Sequence, residues 1–359
     1  MKKIASFLCA VMLAGTVLTG CGTSTAPEST GTEPTSEHTA ETTTQISGET
    51  EVTDEIGAAD ASASEEPVFN LETRTVTLNN GIEMPILGIG TFNLTPDECE
   101  NSVYHALLDG YRLIDTANAY MNERAVGRAI KRSGVPREEI FVTTKLWVSE
   151  YERVEESIDE TLARLDLEYI DLLLLHQPYG NYIEGYRGLE QAVADGKVRA
   201  IGLSNFYQEK FDEIMEIATI TPALIQNEMN PFFQQAEMKE YVKPYGTVLE
   251  AWYPLGGRGN TQTLFNDPTI VEIAENHGKT SAQIVLRWHM QAGNIAIPGS
   301  SNPDHILENI SIFDFELTDE EMEQIATMDT GAGHYDYTSA DQEQEERFTS
   351  STMDFDAQE

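Results

Sequence analysis

Short strand-like runs alternate with amphipathic stretches along most of this chain. Between residues 73 and 328, runs rich in β-branched residues or leucine are followed by stretches whose apolar residues recur with helical spacing. This alternation is typical of βα units, which assemble into a parallel sheet. Eight such units can be counted, and together they use the whole body of the chain. The fold class that we predict is therefore α/β, as a single (β/α)8 TIM barrel without a second domain.

A β-hairpin precedes the first of these units. Residues 73–78 and 83–85 flank an Asn80-Gly81 pair, which supplies the positive φ angles of a tight turn. We expect this N-terminal hairpin to open the barrel domain, which we place at residues 73–330.

The start of the chain indicates export. A basic beginning precedes an apolar run, residues 4–18, that is too short to span a bilayer comfortably. The run ends in Leu-Thr-Gly-Cys at residues 18–21, which resembles the bacterial lipobox, where the cysteine receives the lipid. We predict a lipoprotein signal peptide over residues 1–20 and lipid attachment at Cys21. An ordinary signal peptide or a stray apolar helix is the alternative.

Two further segments lack the composition of a packed domain. Residues 21–72 are rich in Thr, Ser and Glu, and such a stretch cannot bury enough apolar surface to offset its ordering entropy. We predict a disordered acidic linker there, and an acidic tail over residues 331–359. Four aromatic residues could let parts of the tail dock: Tyr335, Tyr337, Phe348 and Phe355.

Composition argues against nucleic acid as a partner and against a disulfide in the body. The formal net charge is -39 at pH 7, which argues against nucleic acid because phosphate binding draws on clustered Lys and Arg. Beyond the signal peptide and Cys21, Cys99 is the one remaining cysteine, so no intrachain disulfide can form in the body. We expect a monomer without a metal site, held on the extracytoplasmic face of the cell membrane by its lipid.

The carboxyl ends of the predicted strands carry groups of four different chemistries. Barrel enzymes place their reactive side chains at these ends. Asp115 ends the second strand, Tyr120 follows in the next loop, Lys145 ends the third strand and His176 ends the fourth. Taken alone, Asp115 could be a cap, Lys145 a snorkelling structural lysine and His176 a satisfied structural histidine. Buried lysines are rare unless paired, however, and the adjacent strand offers Asp115 as a counter-ion.

Together these four residues suit the reduction of a carbonyl group, which needs a hydride on carbon and a proton on oxygen. A phenol with a pKa near 10 holds its proton too tightly to be an ideal acid at neutral pH. An ammonium about 4 Å away supplies roughly 4 kcal/mol at an effective dielectric constant near 20. We therefore expect Lys145 to lower the pKa of Tyr120, Asp115 to keep Lys145 charged, and neutral His176 to orient the substrate oxygen.

Five segments resemble those of the aldo-keto reductases, in that family's order, and the resemblance covers about residues 73–331. By this resemblance the four residues above match the catalytic tetrad of a NAD(P)H-dependent reductase of aldehydes or ketones. The segments are Gly-Ile-Gly-Thr-Phe at 88–92, Ile-Asp-Thr-Ala-Asn-Ala-Tyr at 114–120, Thr-Lys-Leu-Trp at 144–147, Leu-His-Gln-Pro at 175–178 and Gly-Leu-Ser-Asn-Phe at 202–206.

The resemblance also implies cofactor and substrate contacts. Ser204, Asn205 and Gln226 match the side chains that hold the nicotinamide carboxamide, and Trp252 matches the aromatic residue that stacks on the ring. Further cofactor contacts are implied at Gly90, Thr91, Pro254, Leu255, Gly256, Gly299, Ser300, Ser301, Asn302, His305 and Asn309. The implied substrate contacts are Phe92, Trp147, His176 and Gln177.

Two departures from the family pattern bear on function. Gly299 and His305 stand where the family often has Lys and Arg to grip the 2'-phosphate of NADPH. The chain still has a predicted helix amino terminus there, with Asn302 as cap and Pro303 as first residue. A helix amino terminus is itself an anion site. NADP(H) therefore stays the favoured cofactor, and NAD(H) is possible.

The second departure is the predicted export. Because the chain has no twin-arginine pair, we expect it to cross the membrane unfolded and without its cofactor.

The alternative function is a surface binding, scaffold or nicotinamide-sensing module on the same barrel. The intact tetrad favours the enzyme.

Overall fold

The computed structural model of the protein describes residues 67–334, 342–351 and 353–359. The predicted signal peptide, Cys21 and the linker up to residue 66 lie outside the described residues, as do Tyr335 and Tyr337. No helix in the described ranges is long and apolar enough to cross a membrane.

A small antiparallel sheet closes the amino-terminal end of the barrel. Within the described residues its strands are β1 (Phe69–Asn70), β2 (Thr75–Thr77) and β3 (Glu83–Pro85). β2 and β3 form the predicted hairpin, with Gly81 at a φ of 82°. β1 adds a third strand inside the predicted linker, so the prediction of disorder up to residue 72 is wrong at its end. The side chains of Asn79 and Asn80 donate to the carbonyl groups of Pro222 and Arg199, beside the starts of two barrel strands.

Eight parallel strands form the barrel in the part of the chain that the structure describes, and their spatial order is their chain order. Gly88 N donates to Ala296 O at 2.9 Å and Ala296 N to Ile86 O at 3.0 Å, which joins the first strand to the last. The strands are β4 (Ile89–Gly90), β5 (Leu113–Asp115), β6 (Phe141–Leu146), β7 (Ile170–Leu175), β8 (Val198–Ser204), β9 (Leu224–Glu228), β10 (Val248–Trp252) and β11 (Ile295–Ala296).

Helices surround the strands and carry the periodicity seen in the sequence. Every residue of β6 and β7 is buried, because one face of each strand fills the barrel and the other lies under helices. The helices are α1 (Pro96–Leu108), α2 (Glu123–Ser133), α3 (Val154–Leu165), α4 (Tyr182–Ala194), α5 (Gln208–Met215), α6 (Ala236–Val242), α7 (Gly257–Phe265), α8 (Pro268–His277), α9 (Ser281–Gln291), α10 (Pro303–Ile310), α11 (Asp319–Ala326) and α12 (Gln342–Thr349).

The starts of several helices follow from local hydrogen bonding. α1, α9 and α11 each begin with a capping box, in which a threonine hydroxyl and a Glu or Gln side chain three residues later satisfy free amide groups. α10 begins as predicted: Pro303 is its first residue and the Asn302 side chain accepts from Asp304 N at 3.0 Å.

Candidate active site

The four tetrad residues lie at the carboxyl end of the barrel. Asp115 is the last residue of β5, Lys145 lies near the end of β6, and His176 directly follows β7. Tyr120 ends a short 3-10 turn, Asn118–Tyr120, after β5. Three neighbouring strands and one loop therefore bring an acid, an ammonium, an imidazole and a phenol to one place.

Lys145 is the centre of this group. Its Nζ lies 2.7 and 2.8 Å from the two carboxylate oxygens of Asp115, 2.9 Å from the carbonyl oxygen of Thr116 and 3.1 Å from the hydroxyl oxygen of Tyr120. The Lys145 side chain is fully buried. Burial lowers the pKa of Lys145, but the Asp115 carboxylate and Tyr120 raise it to a net value above the ordinary one. Lys145 is therefore an ammonium at neutral pH, paired as its strand position led us to expect.

The expected net lowering of the Tyr120 pKa is wrong. Burial raises the pKa of Tyr120 to about 12, and the lowering by Lys145 offsets only part of this rise. The cost of placing a phenolate in a partly desolvated site exceeds the attraction of one ammonium that Asp115 already neutralises. Tyr120 consequently keeps its proton at neutral pH, as a proton donor must.

His176 is a neutral imidazole at neutral pH. Burial, and then the charge of Lys145, hold the pKa of His176 well below its ordinary value. Its ring packs edge-on against Trp147 at 5.1 Å and against Tyr120 at 5.6 Å between ring centroids. Within the described residues its Nδ1 is buried without a hydrogen-bond partner.

A second polar cluster adjoins the tetrad at the ends of β8 and β10 and in the middle of β9. Asn205 has a φ of 67°, and its Nδ2 donates to the carbonyl oxygen of His176 at 3.0 Å and to Ser204 Oγ at 3.2 Å. Asn205 Oδ1 accepts from Trp252 Nε1 at 3.0 Å. Gln226, in β9, is buried beside them. Amide and hydroxyl groups held in this way, next to an indole ring, fit a flat ligand that carries a carboxamide.

The backbones of the first and last barrel strands approach each other closely at their carboxyl ends. A Cβ on Gly90 would lie 2.7 Å from Ile297 O, and a Cβ on Gly299 would lie 2.9 Å from Gly90 O. A lysine at position 299 would therefore first have to shift this backbone. Thr91 is fully buried and its hydroxyl donates to Asp115 O at 3.0 Å, so its side chain faces the barrel wall.

The remaining predicted cofactor residues lie in two loops and one helix. Pro254, Leu255 and Gly256 follow β10, where Gly256 has a φ of 86° and Pro254 O accepts from His289 Nε2 at 3.1 Å. The others surround the start of α10, and Asn309, inside that helix, is buried. Those at the start of α10 are half-buried or exposed: Gly299, Ser300, Ser301, Asn302 and His305.

The predicted substrate residues border the tetrad. Phe92 is 50% exposed, and its ring lies 5.0 Å from that of Tyr120. Trp147 and Gln177 are buried, and Trp147 Nε1 and Gln177 Oε1 have no hydrogen-bond partner among the described residues. Apolar surface with a few unpaired polar atoms suits a small carbonyl compound.

The sequence allowed the acidic tail to dock through its aromatic residues but did not predict where it docks. Phe348, in α12, packs edge-on against Trp147 at 5.4 Å and stacks on Tyr179 at 5.5 Å. Phe355, further along, is buried, and Asp356 accepts from Arg164 at 3.3 Å. The tail thus docks on the barrel through two of its four aromatic residues, with Phe348 at the mouth and Phe355 beside Arg164 of α3.

Three buried polar side chains near the site were also missed. The Asn122 side chain donates to Thr91 O at 2.9 Å, which holds the loop that carries Phe92. Glu250 lies inside the barrel. Glu228, at the end of β9, accepts from both the backbone amide and the ring of His334.

Comparison with known proteins agrees with this geometry. The family model described as "Aldo/keto reductase family" matches residues 86–330. The chain belongs to the aldo/keto reductase family. It is therefore an NAD(P)H-dependent oxidoreductase that reduces carbonyl groups.

The aldo-keto reductase is similar to curated relatives over nearly their whole length. Morphine 6-dehydrogenase of Pseudomonas putida is 43% identical over 270 residues, which cover 71% of this chain and 91% of that protein. Glyoxal reductase of Bacillus subtilis is 44% identical over 255 residues, which cover 70% of this chain and 91% of that protein.

Solved structures of aldo-keto reductases are also similar. An aldo-keto reductase from a Medee basin deep-sea metagenome library matches with a TM-score of 0.72 and 41% identity, over 74% of this chain and 99% of that one. A Bombyx mori aldo-keto reductase in complex with NADP matches with a TM-score of 0.69 and 34% identity, over 73% of this chain and 94% of that one.

Proposed function

We propose that this aldo-keto reductase converts small aldehydes or ketones to alcohols, with Tyr120 as proton donor. The observation that carries the proposal is the contact of Lys145 Nζ with both Asp115 and the Tyr120 hydroxyl. When bound beside the tetrad, a nicotinamide cofactor would supply the hydride for the carbonyl carbon. Tyr120 Oη gives its proton to the carbonyl oxygen, and Lys145 stabilises the negative charge that develops on the phenol oxygen.

His176 orients the carbonyl oxygen in this proposal. A neutral imidazole carries one N–H, and Nδ1 has no acceptor among the described residues, so the hydrogen belongs on Nε2. An Nε2–H group can donate to a carbonyl oxygen without transferring its proton. The edge-on contacts with Trp147 and Tyr120 fix the plane of the ring.

The test is Tyr120→Phe, with Tyr186→Phe as the matched control. Tyr186 donates to Ile220 O at 2.7 Å and lies in α4, away from the tetrad. We expect Tyr120→Phe to bind the cofactor normally and to lose about 10² to 10⁴ in turnover, the range for a positioned proton donor. The control should keep its turnover. Turnover in Tyr120→Phe within a few-fold of the parent would show that another group donates the proton.

The substrate class follows from the walls of the site and from one relative. Phe92 and Trp147 border the tetrad with aromatic surface, and Phe348 packs on Trp147. The relative named glyoxal reductase supports a small aldehyde. A panel of small aldehydes, ketones and dicarbonyl compounds, followed by cofactor absorbance, tests this. We propose NADPH as the favoured cofactor, supported by the capped start of α10 as an anion site and by the NADP complex of the Bombyx mori enzyme.

We also propose that the protein acts outside the cytoplasm, tethered by lipid on Cys21. The apolar run and the Leu-Thr-Gly-Cys sequence at residues 18–21 support this proposal. Two acyl chains would give stable attachment where one gives only marginal binding. Cys21→Ala should release the protein from the membrane fraction, and protease added to intact cells should digest the parent. Unchanged membrane association in the variant would exclude the lipid anchor.

A further inference from the structure

Glu250 is a buried carboxyl group that the mechanism above does not use. It is the middle residue of β10, in register with Gln226 of β9, and its side chain is fully buried. Alternate residues of a strand share a face, so Glu250 points into the barrel on the same side as Trp252, two residues later. The carboxyl group therefore lies one layer beneath the residue expected to stack on the nicotinamide ring.

Gln226 joins Glu250 to the tetrad. Its Nε2 lies 2.8 Å from Asp115 Oδ2 and 2.6 Å from Glu250 Oε1. The reverse orientation of the amide would place its oxygen against two carboxyl oxygens, which are acceptors. Both amide hydrogens are therefore taken, and the carbonyl oxygen is the polar atom that Gln226 can offer elsewhere.

Glu250 can accept this hydrogen bond without adding charge to the tetrad. Burial, and then the nearby Asp115 carboxylate, raise the pKa of Glu250 to about 8, while Lys145 and Gln226 lower it. Glu250 is thus mainly a neutral acid at pH 7, and its carbonyl oxygen still accepts from Gln226. Asp115 and Lys145 are the charged groups that face it across the barrel interior.

We propose that Glu250 is a positioning residue: it and Asp115 hold the Gln226 amide so that the Gln226 oxygen accepts from the carboxamide N–H of the nicotinamide ring. This inference rests on the proposed function, because it requires a nicotinamide cofactor next to the tetrad. Glu250 itself touches neither substrate nor cofactor in this account.

The test compares Glu250→Gln with Glu250→Met by measuring cofactor dissociation constants through tryptophan fluorescence. Glutamine keeps an acceptor for Gln226 and should bind reduced cofactor within about twofold of the parent. Methionine leaves one buried amide hydrogen without an acceptor, so the amide turns and binding weakens about fivefold to tenfold. The acetylpyridine analogue of the reduced cofactor carries a methyl ketone in place of the nicotinamide carboxamide, so it has no N–H to donate to Gln226. With this analogue, Glu250→Met should bind like the parent.

The control is Asp171→Asn, which alters a buried carboxylate paired with Arg137 and Arg199 at the other end of the barrel. It should lower thermal stability and leave both dissociation constants unchanged. An equal loss with both cofactors in Glu250→Met, or no loss with either, would overturn the positioning role. Glu250→Leu gives the same comparison should Glu250→Met fail to fold. Failure of the parent to bind either cofactor would instead refute the proposed function.

Discussion

Replacing Lys145 with methionine should leave the Asp115 carboxylate buried without its counter-ion. Lys145 Nζ lies 2.7 and 2.8 Å from the carboxylate oxygens, and the two side chains are 0% and 2% exposed. At an effective dielectric constant near 20, opposite charges about 3 Å apart attract by roughly 5 kcal/mol. Removing one partner of a buried pair costs about 3 to 5 kcal/mol, because the remaining charge must be neutralised or hydrated. We expect Lys145→Met to lose about that much free energy of unfolding.

The pair can be tested as a unit by adding Asp115→Asn. Asparagine removes the uncompensated charge and keeps an acceptor oxygen and a similar shape. Denaturant unfolding of the two single variants and the double variant should therefore show that the double variant recovers most of the loss. Additive losses, with the double variant the least stable, would refute the view that the two charges are energetically coupled.

Activity separates the structural role of the pair from its chemical role. The stable double variant has no ammonium beside Tyr120, so we expect its turnover to stay at least about 10²-fold below that of the parent. Cofactor binding should persist, since the residues implied to hold the carboxamide are unchanged. Recovery of turnover together with stability would show that Lys145 acts through the fold alone.

Three further outcomes follow from the described contacts. His305→Arg should tighten NADPH about tenfold to a hundredfold by a charge-assisted contact and leave NADH unchanged; equal changes in both dissociation constants would contradict the assigned position. Phe348→Ala should raise the KM for an aromatic aldehyde about threefold to tenfold through loss of the ring contact with Trp147, and leave a two-carbon dialdehyde unaffected. Burial lowers the pKa of His334, but the Glu228 carboxylate raises it further, so the net pKa lies above that of an ordinary histidine. The contact therefore stabilises the fold fully below the ordinary histidine pKa, and this stabilisation is lost as the pH rises through the raised pKa. The loss of melting temperature in His334→Phe should therefore be larger near pH 6 than near pH 9, and equal losses would exclude an ionic contact.

Most of the fold could be predicted because barrel strands and helices differ in period over many residues. The hairpin followed from one Asn80-Gly81 pair, and the start of α10 followed from Asn302 and Pro303. β1 could not be predicted, because two residues show no alternation and their pairing depends on β2. Strand bounds are limited in a similar way. The apolar run at residues 86–89 predicts the first barrel strand there. In the structure β4 is Ile89–Gly90, and the residues before it make isolated contacts with the last strand.

The candidate site shows where sequence reasoning ends. Asp115, Lys145 and His176 were found because each directly ends or follows an apolar strand. Glu250 was missed because it lies in the middle of its strand and not at the end. Its contact with Gln226 depends on the register between β9 and β10, which the sequence does not show. Phe348 lies in an acidic tail without periodicity, so its contact depends on where the tail docks.

The prediction of a lowered Tyr120 pKa was wrong because two effects of different size oppose each other. The strength of a charge pair can be estimated from an assumed distance, but the cost of burial requires the packed surroundings of the hydroxyl. The sequence allowed the attraction of Lys145 for a Tyr120 phenolate to be estimated, but not the larger cost of burying that phenolate.

The small amino-terminal sheet and α12 lie at opposite ends of the barrel. The small sheet that holds Phe69 covers the end where the strands begin, and α12 packs beside Trp147 at the end where they finish. An attachment through the amino terminus, natural or engineered, therefore pulls on the closed base of the barrel and leaves the opening to the active site clear. A tag or fusion at the carboxyl terminus instead pulls on the tail that contains α12, the helix that packs at that opening. Immobilised enzyme should accordingly keep its rate when held by the first end and lose it when held by the second.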